Sequence, residues 1–237
     1  MNNPQSSLPA HSSQVKSKQR VADHGEVFTA EREVKAMLDL VQTETERLDS
    51  RFLEPACGDG NFLIEILRRK MQAVSRLSRN SLSAYQLNTC RAVASIYGVE
   101  LMADNTEACR QRLYNYVAEQ YCHTFPDIHS SFDSETQDNA FLRTIRFLLE
   151  RNIICGDALT YCCSDGTPIV FSEWTFIGEQ VSRCDFRFNF LVEKKHQYSL
   201  FDEQGEPQQF DRPIQAFSPV HYTQLYFLHS NHSNDTR

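Results

Sequence analysis

The stretch Leu53-Glu54-Pro55-Ala56-Cys57-Gly58-Asp59-Gly60-Asn61-Phe62-Leu63 constrains the fold more than any other part of the chain. Arg51-Phe52-Leu53-Glu54 reads as a short strand, and Phe62, Leu63, Ile66 and Leu67 then recur at helical spacing. Two glycines lie between them. Glycine lets a backbone turn sharply from strand to helix and approach a bound molecule with no Cβ in the way. A strand–loop–helix unit of this kind holds its ligand at the carboxyl end of a parallel sheet. Position 63 is Leu, where the dinucleotide pattern G-x-G-x-x-G has its third glycine, and no Gly-Lys-Ser/Thr follows to make a phosphate loop.

Two later segments also read as strands ending in a polar group. Ser95-Ile96-Tyr97-Gly98-Val99-Glu100 is a buried strand closing on an acid. A carboxylate there accepts hydrogen bonds from both hydroxyls of a ribose; the plainer reading is a solvated acid at a strand end. Glu100 lies further from the first strand than the roughly 20 residues of a compact dinucleotide fold. The basic segment Arg68 to Arg79 fills part of that interval, with room for an extra helix. In Asn152-Ile153-Ile154-Cys155-Gly156-Asp157-Ala158-Leu159, the third segment, Asp157 would sit beside an adenine exocyclic amine and the Ala158 N–H would face a ring nitrogen. In this order, the three segments point to an adenosine-containing ligand.

Around them, Val34, Met37, Leu38, Val41 and Leu48 predict a helix with Thr29 as its N-cap. Thr106 to Tyr121 predicts another, with Ala108, Leu113, Tyr116 and Val117 inward, and Ala140 to Leu149 a third. Alternating strands and helices predict a parallel α/β sheet with right-handed crossovers. From Gly166 the pattern changes: Pro168 to Ile177 and the strictly alternating Asp185 to Phe190 read as strands, and 202–216 as a loop. The last apolar piece is Tyr222 to Leu228. The expected organisation is a flexible polar arm over 1–20, a core over 21–165, and a β-rich part over 166–237 that completes the sheet or stands as an accessory element.

The net charge of -7 gives no general attraction to phosphate backbones. A nucleic-acid partner needs a local basic surface, such as Lys16, Lys18 and Arg20 if these are more than a solvated tail, or a second protein. No apolar run approaches the roughly 20 residues that span a bilayer, and no apolar core follows the first positive charges as in a signal peptide. Eight cysteines without a CxxC pair read as free thiols of a reducing, cytoplasmic compartment. Cys155, Cys162, Cys163 and Cys184 fit no zinc spacing, so no metal is expected.

Residues 53–63 resemble the cofactor motif Asp/Glu-Pro-x-Cys-Gly-x-Gly-x-Phe-Leu of S-adenosylmethionine-dependent DNA adenine-N6 methyltransferases of restriction–modification type. Gly25-Glu26-Val27-Phe28-Thr29-Ala30 is similar to that family's Gly-x-x-Phe/Tyr-Thr-Pro segment, with Ala30 in place of proline. Tyr97 to Leu101 and Gly156 to Leu159 match its ribose and adenine elements, so the resemblance runs from about 25 to 160. It implies a Rossmann-like class I methyltransferase sheet with helices on both faces and a β-rich C-terminal part. It implies S-adenosylmethionine as cofactor and DNA as partner, directly or through a separate specificity subunit. The implied cofactor contacts are Phe28 and Thr29; Glu54, Ala56, Gly58, Gly60, Asn61 and Phe62; Glu100 and Leu101; and Asp157 and Ala158.

One element of the family is missing. Its catalytic motif is Asn/Asp/Ser-Pro-Pro-Tyr/Phe, in which a side-chain oxygen and a proline carbonyl accept the adenine amino hydrogens and localise the lone pair. The aromatic residue stacks on the flipped base. No Pro-Pro occurs in this sequence. The nearest counterpart, Ser218-Pro219-Val220-His221-Tyr222, leaves the catalytic residues unassigned, with Ser218, Pro219 and Tyr222 as candidates. Three functions stay open: methyl transfer to DNA adenine, a cofactor-binding subunit of a DNA-modification or defence complex that performs no transfer, and methyl transfer to RNA or protein.

Overall fold

The computed structural model describes Arg20 and residues 29–126, 139–189 and 213–229. It is a mixed α/β fold with two small sheets, one parallel and one antiparallel. The first part runs α1 (Glu31–Asp39), the short α2 (Gln42–Thr45), β1 (Phe52–Glu54), α3 (Asn61–Ser78), α4 (Leu82–Ala94), β2 (Ile96–Glu100), α5 (Ala103–Thr124), α6 (Ala140–Asn152) and β3 (Ile153–Cys155). β4 (Val170–Ile177), β5 (Gln180–Arg187) and β6 (Gln215–His221) follow, and a 3-10 helix over Tyr222–His229 closes the described chain. The parallel sheet has the order β1-β2-β3, with Glu54 beside Gly98 and Glu100 beside Cys155. The antiparallel sheet has the order β4-β5-β6.

Alternation along β2 sends its side chains into two separate cores. Ile96, together with Ile153 of β3, joins a helical core with Leu63 and Leu67 of α3, Leu113 and Val117 of α5, and Ile145 and Leu148 of α6. Tyr97 and Val99 face the other way, against Ile169, Phe171 and Phe188. The Tyr97 ring meets Phe171 edge-on at 5.4 Å, and its hydroxyl donates to the Ser172 carbonyl at 2.9 Å. Among the described residues, one face of the parallel sheet carries helices and the other packs against the β4–β5 hairpin and Phe188. Val170–Ile177 and Gln180–Arg187 pair with each other and cover β2 by side-chain packing, without adding to its ladder.

Three polar side chains, buried Lys70 and Asn152 and half-buried Asn139, fix the frame. Lys70 of α3 is fully buried and donates to the carbonyls of Arg47 and Ser50 at 2.6 and 2.8 Å, which pins the chain leading into β1. Burial pushes its ammonium down to about 8. Asn139 caps α6 by accepting from the N–H groups of Phe141 and Leu142. Asn152, at the other end of α6, donates to the carbonyls of Val93, Ala94 and Ile96 at 3.4, 3.2 and 3.1 Å, and accepts from the Trp174 indole at 2.9 Å. It thereby joins α4, β2, α6 and β4 at one point.

Several local expectations shift. The residue at the N-cap of α1 is Ala30, extended and without a side-chain cap, so Thr29 has no capping role. Met37 and Val41 are exposed while Val34 and Leu38 are buried. In α5 the inward side includes Cys109, one position on from the expected Ala108, because the helix starts earlier and its buried residues follow the Cys109, Leu113, Val117, Tyr121 spacing. The interval before β2 holds two helices, α3 through the whole basic segment and then α4. The alternation at Asp185 to Phe190 belongs to a strand that begins at Gln180 and ends at Arg187. Lys16, Lys18, Phe28 and most of the 202–216 segment lie outside the described residues.

Candidate functional site

β2 and β3 end level with one another and β1 two residues earlier, and the chain leaving each contributes to one groove of about 650 Å³. After β1, the Cys57 N–H donates to the Val99 carbonyl at 3.0 Å, which ties the glycine loop to β2. Gly58 and Gly60 take φ of 54° and 93°, and this left-handed backbone turns the loop into α3. Gly60 also packs against α5 so closely that a Cβ on it would stand 2.7 Å from the Cys109 sulfur. Gly98 admits the loop in the same way, since a Cβ there would lie 2.9 Å from the Cys57 sulfur. The paired Cys109 thiol and burial together push the Cys57 thiol up, so it is a packing group with no nucleophilic character.

Glu100 is 8% exposed and its carboxylate is already shared. One oxygen accepts from the Gly58 N–H at 2.8 Å; the other accepts from the Met102 N–H at 3.0 Å and the Asn105 amide at 3.3 Å. A carboxylate has about four acceptor sites, so the Gly58-bonded oxygen retains capacity toward the groove. The sequence reading offered Glu100 as a ribose acceptor or a solvated strand-end acid; in the fold it is buried and braces the glycine loop. In Asp157, one oxygen accepts from the Leu159 N–H at 2.8 Å, an Asx turn that leaves the second oxygen for a ligand donor. Glu54 makes one long contact, from the Ala56 N–H at 3.4 Å, and burial raises its carboxyl above the usual range. Asn61 opens α3, where Gly60 supplies no capping side chain. It accepts from Arg112 at 2.8 Å and donates to the Thr29 carbonyl at 3.3 Å, so it holds Thr29 at the groove wall.

The groove's charge is one-sided. Glu54, Glu100 and Asp157 line it, and its described lining includes no Lys, Arg or His. Arg112 and Arg20 approach from the α5 side but are engaged by Asn61 and by Asp104. Three carboxylates without a cation repel a di- or triphosphate, and attract ligands rich in hydroxyls, amines and positive charge. Leu101 and Leu159, 57% and 89% exposed, add apolar side chains at the rim where a flat ring can lie.

Ten of the twelve expected contacts line this groove: Thr29, Glu54, Ala56, Gly58, Asn61, Phe62, Glu100, Leu101, Asp157 and Ala158. Gly60 is buried behind the loop and shapes it, and Phe28 lies outside the described residues. The expected contacts did not include Pro55, Cys57, Met102, Asn105, Gly156 and Leu159, which line the groove too. Asn105 follows Glu100 by about one helical turn across a strand end, and that spacing was the available signal. The candidates Ser218, Pro219 and Tyr222 are not brought to the groove. Ser218 and Pro219 sit on β6 of the antiparallel sheet. Tyr222 is 3% exposed in the helical core and donates its hydroxyl to Gln86 of α4 at 3.0 Å. β6 pairs with β5, on a sheet that shares no ladder with β1. Among the described residues no cluster suited to a metal ion occurs, and no helix is long and apolar enough to cross a membrane. No protein-family model, curated protein or solved structure matches the chain.

Proposed function

We propose that the chain holds S-adenosylmethionine in the β1–β2–β3 groove and serves methyl transfer to DNA adenine. In this reading the parallel strands are part of a Rossmann-like methyltransferase sheet. The observation that carries it is the groove's lining of three carboxylates with no basic side chain. S-adenosylmethionine has two ribose hydroxyls, an adenine amine, an ammonium and a sulfonium to offer these carboxylates, against one carboxylate of its own. That carboxylate suits the uncapped start of α3, where free N–H groups and the helix dipole favour an anion. Dinucleotides and nucleoside triphosphates carry the opposite balance of charge.

The residues then divide the work. Asp157 accepts from the adenine amine through its open oxygen, and the free capacity of Glu100 accepts from ribose. Leu101 and Leu159 cover the adenine faces. Glu54 faces the cationic end, where its partly buried carboxylate gains most from a positive partner. Thr29, held by Asn61, closes the same end. The bound group supplies a methyl carried on a positive sulfur. What this chain supplies is a desolvated, preorganised seat for it.

A second reading is favoured by one observation: the groove's described lining holds no Asn/Asp/Ser-Pro-Pro-Tyr/Phe element of the kind that activates an adenine amine in the family the chain resembles. The chain would then be the cofactor-holding subunit of a larger DNA-modification assembly. Tritiated methyl transfer to unmethylated genomic DNA separates the two. Label incorporated by the chain alone, and lost in Asp157→Ala, supports the enzyme. Label that appears only with a second gene product, and is still lost in Asp157→Ala, supports the subunit. Transfer unaffected by Asp157→Ala refutes both.

A further inference from the structure

A second groove, of about 930 Å³, lies at the other end of the parallel strands and shares no lining residue with the first. Arg51 and Ser95, which precede β1 and β2, line it, whereas Glu54 and Glu100 close those strands in the first groove. Its walls are tied down. Lys70 fixes the carbonyls of Arg47 and Ser50 on one side, and Asn152 holds the Ala94 carbonyl and the Trp174 indole on the other. The chain does not enter or leave residues 190–212 here. The N–H groups of Phe188 and Ile214 donate to the carbonyls of Ile169 and Asp185, at the end of the β4–β5 hairpin away from Phe176.

Every carboxylate that lines this groove is matched by an arginine. Glu46 pairs with Arg76 at 3.6 Å, Asp49 with Arg47 at 3.3 Å and Glu173 with Arg51 at 2.6 Å. Arg91, at the end of α4, is the lining cation left over. Among the described residues no acceptor meets it, and its Nε is buried without one. The guanidinium lies over the Phe176 ring, 5.7 Å from its centroid. A place in the last turn of a helix suits its positive charge but leaves its donors unused.

A guanidinium offers five N–H donors, and one held partly out of water attracts an oxyanion more strongly than one in bulk solvent. With Nε covered, an entering group meets the terminal nitrogens. Beside them, half-buried Trp174 and Phe176 and the exposed Leu77 present apolar surface. Glu46, Asp49 and Glu173, although paired, oppose a second negative charge.

We propose that this groove is a second ligand site, for a small organic acid that carries one singly charged oxyanion on a flat apolar body. The oxyanion meets the terminal nitrogens of Arg91, and the body lies against Trp174, Phe176 and Leu77. The site is independent of the S-adenosylmethionine reading.

Trp174 is the single tryptophan of the chain, so its indole N–H is one NMR reporter inside the groove. The probe is naphthoate, titrated into the isotope-labelled full chain. The expected result is a saturable shift of that N–H, with affinity at least roughly tenfold weaker in Arg91→Gln and largely kept in Arg91→Lys. Naphthylmethylamine, the same body with the opposite charge, should leave the signal in place, and naphthyl phosphate should bind more weakly than the acid. No saturable shift with naphthoate overturns the proposal, as does equal affinity in Arg91→Gln. Equal binding of the amine reduces the groove to an apolar surface and overturns it too, and tighter binding of the phosphate overturns the single charge. The amine and phosphate arms use the unaltered chain, so they decide the matter even where Arg91→Gln does not fold. S-adenosylmethionine should leave naphthoate affinity unchanged. Competition between the two overturns the separate site, whereas an absence of S-adenosylmethionine binding counts only against the cofactor reading.

Discussion

Replacing Gly60 by alanine isolates what the glycine loop demands of the backbone from what it demands of space. Gly60 holds φ 93° and ψ 30°, and a left-handed conformation costs an L-residue about 1–2 kcal/mol. The new Cβ would also lie 2.7 Å from the Cys109 sulfur, well inside contact, and overpacking of this kind costs about 1–3 kcal/mol. Gly60→Ala is therefore expected to destabilise by about 2–5 kcal/mol. Its next contact is the Cys109 Cβ at 3.6 Å, an ordinary distance. In a Cys109→Ala background only the backbone strain remains, and the cost falls to about 1–2 kcal/mol. The cavity cost of Cys109→Ala itself cancels in the cycle. Urea unfolding followed by fluorescence of the single tryptophan, Trp174, measures all four proteins. A Gly60→Ala cost that is the same in both backgrounds, within about 0.5 kcal/mol, refutes the close approach of loop and α5. S-adenosylmethionine affinity should fall in Gly60→Ala and partly return in the double variant, since α3 then regains its seat.

Asn152→Ala removes a donor shared by three buried carbonyls and the acceptor of the Trp174 indole, and should cost about 2–4 kcal/mol in urea unfolding while leaving cofactor affinity unchanged. Glu54 gives a pH signature of two signs. Its folded carboxyl is raised above 4.5 by burial, so between 4.5 and that raised value the folded chain holds a proton the unfolded chain has released, and stability falls as pH rises through the window. Affinity for a cationic ligand rises through the same window; Glu54→Gln should flatten both trends, and a stability that climbs with pH only in the wild type contradicts the assignment. Tyr222→Phe should lose about 0.5–1.5 kcal/mol with its bond to Gln86 and leave S-adenosylmethionine affinity untouched, and a change in affinity would return Tyr222 to the site.

The lining of the β1–β2–β3 groove was largely legible in the sequence because each of its elements is local. A three-residue strand, two glycines and a helix start lie within Leu53 to Leu63, and the acids Glu100 and Asp157 each follow an apolar run. The non-local features were not legible. That Glu100 braces Gly58 depends on β1 and β2 pairing in register, and no pattern around residue 100 reports it. The destination of β4 to β6 was equally hidden. Alternation marks a strand without naming its partner, so the same residues fit a completed sheet or a separate one. The separate sheet carries Ser218 and Pro219, and in the apolar piece Tyr222 to Leu228 the fold buries Tyr222 and Leu225 while Phe227 is exposed.

The charge of the groove gives the most direct test of the account. Calorimetry on the full chain with S-adenosylmethionine and, separately, with ATP asks whether three carboxylates without a base choose the cationic adenosine ligand. The account predicts binding in the micromolar range for S-adenosylmethionine, about −8 kcal/mol, and no heat with ATP. ATP binding as tightly, or no heat with S-adenosylmethionine, would contradict it.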